Sequence, residues 1–243
     1  LANLQAASRL NTKSDPSEKD PARFTAFNDF GDESFEDFAK THLGRKGDDS
    51  TVKKLRRSVN AGENYYSAGV TSVDWSQSGK LGTPRHQGGC GSCWTYSSTG
   101  ALEAYYSIVT GNSPKYFSTQ QMVDCVTRAY GCDGGLSSLV YDYVIQNGIV
   151  FDSRYPYQGS QSSCRNVGSH DWKIDSWNYI SPNDENALMA AVQKQPVAVA
   201  VAANNAWQSY SGGIMTSAQC SNAQNALNHA VLLVGYTWGT NWG

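Results

Sequence analysis

The 243-residue sequence lacks the features that direct a protein to membranes or nucleic acids. Its longest apolar runs, residues 196–203 and 230–235, are far shorter than the roughly 20 residues that a membrane-spanning helix needs. Basic residues are not in excess, since 19 Lys and Arg face 21 Asp and Glu, and a formal charge of −2 argues against a nucleic-acid partner. The sequence also has no Asn-x-Ser/Thr acceptor for glycans. We therefore expect neither a membrane nor a nucleic-acid partner.

The first 69 residues lack cysteine and differ in composition from the rest of the chain. They are polar and rich in Lys and Asp, and residues 1–10 are too polar for the core of a signal peptide, so any signal would lie upstream. A short helical pattern carrying Phe35 and Phe38 is predicted from Asp32 to Gly44. The composition by itself indicates a separate segment, such as a small helical cap.

Residues 87–109 combine three glycines and a Cys-x-x-Cys motif with a helical pattern. Ser92 is a candidate N-cap and Gly111 a candidate C-terminal stop, which places Cys93 in the first turn of the helix. Free N–H groups and the positive end of the helix dipole stabilise an anion there, so the pattern favours a nucleophilic thiolate. The glycines leave room for a substrate backbone, and Gln87 supplies an amide donor for an oxyanion.

The six irregularly spaced cysteines favour an oxidising compartment but leave other uses open. Cys90-x-x-Cys93 also suits a redox dithiol or half of a zinc site. A thioredoxin-like protein would show a βαβ pattern around the motif, and none is evident. A zinc site would need a second close pair, whereas six residues separate Cys125 from Cys132.

Helical patterns dominate the middle of the chain and strand patterns its last third. A Ser-x-x-Gln capping box at residues 118–121, an apolar face over residues 136–144 and a start at Ser181-Pro182 predict three further helices. Residues 196–203 and 229–238 are short, β-branched and apolar, as in buried strands. Helices followed by strands predict an α+β protein with two lobes and a cleft between them.

The motif Cys-Gly-Ser-Cys-Trp, preceded by Gln-Gly, resembles that of the papain-like cysteine proteases of the cathepsin L and papain type. His229 lies 136 residues after Cys93, within the interval of roughly 130–150 residues that this family shows. The resemblance implies a two-lobed papain-like fold with a helical first lobe and a β-barrel-like second lobe. It implies Cys93 as nucleophile, His229 as its acid and base, and Gln87 as an oxyanion donor, without a metal or cofactor.

The same resemblance extends to the N-terminal segment. Residues 28–32 match the N-x-F-x-D core of the family's inhibitory prosegment, and Asn3 and Asn11 match the last asparagines of its ERFNIN helix. Residues 73–75 resemble the start of the mature enzyme. We therefore expect a truncated prosegment over residues 1–69, lying along the cleft in the reverse sense to a substrate, and a catalytic domain over residues 70–243. The basic residues 53–57 would be a linker open to proteolysis.

Further site residues follow from the resemblance alone. It pairs Cys90 with Cys132 and Cys125 with Cys164, and leaves Cys93 free. The expected substrate contacts are Gly134 and Gly135 for the peptide backbone, with a pocket for the second residue before the cleaved bond formed by Leu136, Ser137, Ala200, Leu227, Asn228 and Ala230. Because that pocket is apolar and open, bulky hydrophobic side chains should be preferred there. No insertion resembles the exopeptidase loop of cathepsin B, so endopeptidase activity is expected.

The chain departs from the family pattern near its end. The family's histidine-orienting asparagine would fall at Tyr236, and Cys220 has no cysteine near residue 243 to pair with. We therefore expect residues to be missing after Tyr236 and beyond Gly243. The implied partners are protein or peptide substrates, the prosegment and inhibitors of the cystatin type, in a lysosomal, vacuolar or secreted setting. A catalytically silent, peptide-binding or inhibitory homologue is the alternative.

Overall fold

The computed structural model describes residues 2–11, 20, 22–46, 70–216, 219–221 and 223–237. The basic linker predicted at residues 53–57 and the C-terminal residues 238–243 lie outside these ranges. The N-terminal segment, defined here as the described residues up to 46, contains α1 (Ala2–Asn11), β1 (Arg23–Phe24) and α2 (Phe35–His42).

The remainder of the chain supplies the helices and strands that surround the site. The helices are α3 (Cys93–Thr110), α4 (Thr119–Cys125), α5 (Ser137–Asn147), α6 (Glu185–Val192) and α7 (Asn205–Ser209). The strands are β2 (Ser72–Asp74), β3 (Val197–Val201), β4 (Tyr210–Gly212), β5 (His229–Leu233) and β6 (Gly235–Thr237). In the part of the chain that the structure describes, no helix is long and apolar enough to cross a bilayer.

Helix α3 lies between the helices α4 and α5 on one side and the strands β3 and β5 on the other. On one side it contributes Trp94 and Leu102 to the main core, where Phe117, Met122 and Val140 pack against them. On the other side Gly100 lies under β5, since a methyl group built on it would come within 3.1 Å of the Leu232 side chain. The small residues of α3 thus let a strand approach the helix closely, which brings residue 229 near residue 93.

The strands of the described residues form three antiparallel pairs, β1 with β4, β2 with β6 and β3 with β5. The β3–β5 register places Ala200 opposite Ala230 and Val201 opposite His229. The predicted strands exist, but the prediction that they are buried was wrong for β3, where every residue is half-buried. Helices in the first part and strands in the second confirm the predicted α+β fold.

Several helix ends differ from their sequence predictions because other side chains cap them. Helix α2 begins after Ser34, whose hydroxyl accepts a hydrogen bond from the Asp37 N–H, and not at Asp32. Helix α6 begins after Asp184 and not at Ser181, since Asn183 has a φ of 61°, which a right-handed helix cannot contain. Ser118 does cap α4, by accepting from the Gln121 N–H.

Two asparagines of the N-terminal segment make structural hydrogen bonds, one within the segment and one to the rest of the chain. The Asn11 side chain makes two 2.9 Å hydrogen bonds with the backbone of Phe24, joining α1 to β1. The Asn28 amide donates to the Gln208 carbonyl, and the Gln208 amide donates to the Phe30 carbonyl. Asparagines of both matched prosegment motifs therefore hold this segment together or bind it to α7.

Candidate active site

Cys93 is buried in the first turn of α3 and carries a free thiol. Ser92 occupies the N-cap position, but its hydroxyl does not cap the helix; it lies 2.7 Å from the Tyr157 hydroxyl. Burial raises the pKa of the Cys93 thiol, and this outweighs the backbone N–H groups of Ala230 and Gly44, which lower it. The sequence pattern favours a lowered pKa at this position, whereas burial of the thiol shifts its pKa in the opposite direction.

His229 lies at the start of β5, next to the residue whose N–H reaches the Cys93 sulfur. Burial, together with the nearby His42, lowers the pKa of His229 to about 4. Its Nδ1 is buried without a hydrogen-bond partner among the described residues, while the Trp207 ring lies 6.5 Å away between ring centroids. In this state the imidazole is neutral and lacks an orienting group within the described ranges.

The Gln87 side-chain amide joins the loop before α3 to the N-terminal segment. Its Nε2 donates to the Cys90 carbonyl at 2.9 Å and to the His42 carbonyl of the N-terminal segment at 3.0 Å. Removal of the segment would free one N–H of this amide. A donor in that position suits a developing oxyanion.

Residues 42–46 of the N-terminal segment lie against Gln87 and Gly135. The Gly135 N–H donates to the Gly44 carbonyl at 2.8 Å, and the Lys46 N–H donates to the Gly135 carbonyl at 3.1 Å. These bonds form a parallel bridge between Arg45 and Gly135. The segment thus uses the backbone groups expected to bind substrate, and Gly44 reaches the Cys93 sulfur.

Of the predicted substrate-contact residues, some contact the N-terminal segment and others are placed by helix and strand positions. Leu136 precedes α5, and the Ser137 hydroxyl contacts the Ser97 hydroxyl at the side of α3. Ala200 faces Ala230 across the β3–β5 pair.

The N-terminal segment contacts three further predicted substrate-binding residues. The Asn228 carbonyl accepts a hydrogen bond from the Arg45 N–H at 3.0 Å, and the Leu227 carbonyl accepts one from the Arg45 guanidinium at 3.5 Å. Gly134 adjoins the same segment, because a methyl group built on it would lie 2.5 Å from the Gly44 carbonyl oxygen.

The disulfides are Cys90–Cys132 and Cys125–Cys164, as the resemblance implied. Since Cys90 is bonded to Cys132, the Cys90–Cys93 pair is not a dithiol centre. No group of three or more His, Cys, Asp or Glu side chains suited to a metal lies within the described ranges. Cys220 is free and half-buried.

Two contributors to the site were missed by sequence reasoning. His42 supplies the carbonyl that Gln87 binds, and its ring lies 3.3 Å from the Glu33 carboxylate and packs on Phe30. The Tyr157 hydroxyl donates to the Gln87 carbonyl at 2.7 Å across 70 residues. Neither belongs to a recognisable motif, because both act through contacts between distant parts of the chain.

A free thiol at a helix terminus, a histidine on the adjoining strand and a side-chain amide donor are the groups that thiol-dependent hydrolases use. The family described as "Papain family cysteine protease" matches residues 70–243, and the chain belongs to this family.

Individual relatives agree with this assignment. Cysteine proteinase 1 of Entamoeba histolytica is 40% identical over 190 residues, which are 71% of this chain and 60% of that protein. The crystal structure of the ragweed pollen allergen Amb a 11, a cysteine protease in its proform, is 32% identical in sequence and superimposes with a TM-score of 0.79. The aligned region covers 98% of this chain and 72% of the Amb a 11 chain. The structure of the Carica candamarcensis cysteine protease CMS1MS2 in complex with E-64 is 39% identical in sequence, with a TM-score of 0.62. The aligned region covers 71% of this chain and 84% of the CMS1MS2 chain. The chain thus spans 60% of the length of the Entamoeba protein.

Proposed function

We propose that the chain is the latent precursor of a cysteine endopeptidase, with residues 1–69 as its inhibitory prosegment and residues 70–243 as its catalytic domain. Cys93 attacks the peptide carbonyl, and Gln87 with the Cys93 N–H binds the oxyanion. His229 protonates the leaving amine and then activates water. The observation that carries this proposal is the free, buried Cys93 thiol within reach of the Ala230 N–H, one residue from His229.

Latency follows from what the N-terminal segment does to these groups. It covers the sulfur with Gly44, takes one N–H of Gln87 through the His42 carbonyl and occupies both polar groups of Gly135. The segment pairs in parallel with Gly135, and the family resemblance implies that a substrate runs in the reverse sense. A reversed peptide presents no carbonyl to the thiol in the orientation needed for attack, so the segment blocks the cleft without being cleaved there.

The substrate and setting are proposed from the same contacts. Extended protein or peptide substrates would pair with Gly135, and cystatin-type inhibitors would compete for the same cleft. The two disulfides support an oxidising compartment, as in a lysosomal, vacuolar or secreted location. A silent homologue is not favoured, because the nucleophile and its strand partner are both present.

The proposed function is tested by labelling with the epoxide E-64, which the Carica candamarcensis protease binds. We expect stoichiometric labelling of Cys93 and peptide hydrolysis once the N-terminal segment has been removed from the full chain, and little of either before. Intact-mass analysis locates the adduct. Removal of the segment without gain in labelling or hydrolysis would contradict the proposal.

Acidification is expected to favour release of the segment. Burial, with a smaller contribution from the nearby His42, lowers the pKa of His229 to about 4 from an ordinary value of 6.5. We expect release of the segment to remove the His42 charge and part of the burial, so that the released state binds more protons between these pH values. Docking therefore weakens as the pH falls through this window, because protonation favours the state that binds more protons. The groups facing His229 in this account are His42 and the Cys93 thiol.

The measurement is the rate of E-64 labelling of the uncleaved chain from pH 7.5 to 4, divided by the rate for the processed form. This ratio should rise as the pH falls. In His42→Gln the rise should be shallower, because the charge interaction that helps to lower the His229 pKa is gone. A ratio that stays flat in the wild type would refute the linkage.

Bulky hydrophobic side chains should be preferred at the second residue before the cleaved bond. The proposed pocket contains Leu136, Ala200 and Ala230 and carries no charged side chain. We expect kcat/KM to be about 10-fold or more higher for Leu or Phe than for Arg at that position. Matched fluorogenic peptides differing only there provide the measurement, and a preference for Arg would overturn the assignment of the pocket.

A further inference from the structure

The hydroxyl of Tyr157 lies between the two segments that would form the oxyanion-binding site. It is 2.7 Å from the Gln87 carbonyl and 2.7 Å from the Ser92 hydroxyl. Gln87 carries the side-chain donor of this site, and Ser92 immediately precedes Cys93, whose N–H is the backbone donor. The Tyr157 hydroxyl thus contacts the residue that carries the side-chain donor and the residue that precedes the backbone donor.

The number of hydroxyl protons determines which group donates and which accepts in each hydrogen bond of this network. Tyr157 has a single hydroxyl proton, which it donates to the Gln87 carbonyl, so the Ser92 hydroxyl donates to the Tyr157 oxygen. The alternative acceptor for Ser92, the Cys90 carbonyl, is farther away at 3.3 Å and already accepts from the Gln87 amide. The bonds therefore connect Ser92 through Tyr157 to Gln87 and on to Cys90, next to the start of α3.

The loop carrying Gln87 needs such a tether. Gly88 and Gly89 follow it, and Gly88 has a φ of 63° with nothing within 4 Å of a methyl group built on it, as for Gly89. Glycine backbone restricts the loop little. The Tyr157 ring is itself held by Tyr96, which packs edge-on with 5.2 Å between ring centroids.

We propose that Tyr157 is a positioning residue that sets the distance between the Gln87 amide and the Cys93 N–H, and so the geometry of the oxyanion-binding site. The inference rests on the proposed function. An oxyanion donor stabilises the transition state only within about 2.7–3.1 Å of the developing charge, so a small displacement of Gln87 lowers the rate while substrate binding elsewhere in the cleft is unchanged.

The test compares reactions that do and do not develop an oxyanion, using the processed form of Tyr157→Phe. We expect kcat for a peptide amide to fall about 10-fold with KM changed less than twofold, and the affinity for a peptide aldehyde to fall by the same factor. Alkylation of Cys93 by iodoacetamide should be unchanged, because this displacement forms no oxyanion. The control is Tyr116→Phe, which removes a hydroxyl that donates to the Thr83 carbonyl and should change none of the rates.

A double-mutant cycle separates positioning from general destabilisation. In a Gln87→Ala background, Tyr157→Phe should lower kcat by less than twofold further, because the donor it positions is absent. An unchanged kcat in the single variant, a full 10-fold loss persisting without Gln87, or an equal fall in the alkylation rate would each overturn the inference. A wild-type processed form that hydrolyses no peptide would overturn the proposed function instead, and aldehyde affinities of wild type and variant would then decide the role of Tyr157.

Discussion

The processed Cys93→Ala variant is expected to lose peptide hydrolysis by about 10⁴-fold or more, because no other group can form the acyl intermediate. Cys93 is one of two free cysteines within the described ranges, and the other, Cys220, is half-buried. Initial rates with a fluorogenic peptide, measured at equal concentrations of folded protein, provide the comparison.

Cys220→Ala is the matched control, since it removes the other free thiol. It should keep both the hydrolytic rate and the stoichiometry of E-64 labelling. Retention of hydrolysis in Cys93→Ala, or its loss in Cys220→Ala with the fold intact, would move the nucleophile away from residue 93. A thermal melt of each variant separates loss of chemistry from loss of structure.

The Gly44→Val variant of the full chain is expected to be active without processing. Gly44 passes directly over Gly91, and a side chain built on it would overlap the Gly91 carbonyl. The Gly91 atoms in this clash are backbone and the added Cβ is fixed to the Gly44 backbone, so relief requires the segment to move away from Cys93. A cost of about 2–3 kcal/mol to docking would raise the labelling rate of the uncleaved chain at neutral pH by roughly 10²-fold.

The control is Lys40→Ala, on the exposed side of α2, which should leave labelling of the uncleaved chain as slow as in the wild type. After processing, Gly44→Val and the wild type should hydrolyse peptides at equal rates, because the altered residue has been removed. Slow labelling of uncleaved Gly44→Val at neutral pH would show that the segment does not block Cys93 in the way proposed.

Local patterns in the sequence determined much of this protein. The helical period after Cys93, the Ser118 cap and the β-branched run at residues 197–201 are short-range features, so the elements and the α+β class follow from neighbouring residues. The place of Cys93 in the first turn of α3 follows in the same way. The disulfides and His229 needed the family resemblance, because spacing alone left redox and zinc uses of Cys90 and Cys93 open.

Tertiary structure alone decided the chemical state of the site. The sequence favoured a thiolate at the start of α3, yet burial of Cys93 raises its pKa, and the N-terminal segment brings His42 close to His229. The burial of a residue and its distance from other charged groups depend on contacts between distant parts of the chain, so neighbouring residues in the sequence do not predict them. The contact of Tyr157 could not be predicted from the sequence for the same reason, because its hydroxyl donates to a carbonyl 70 residues away in the chain.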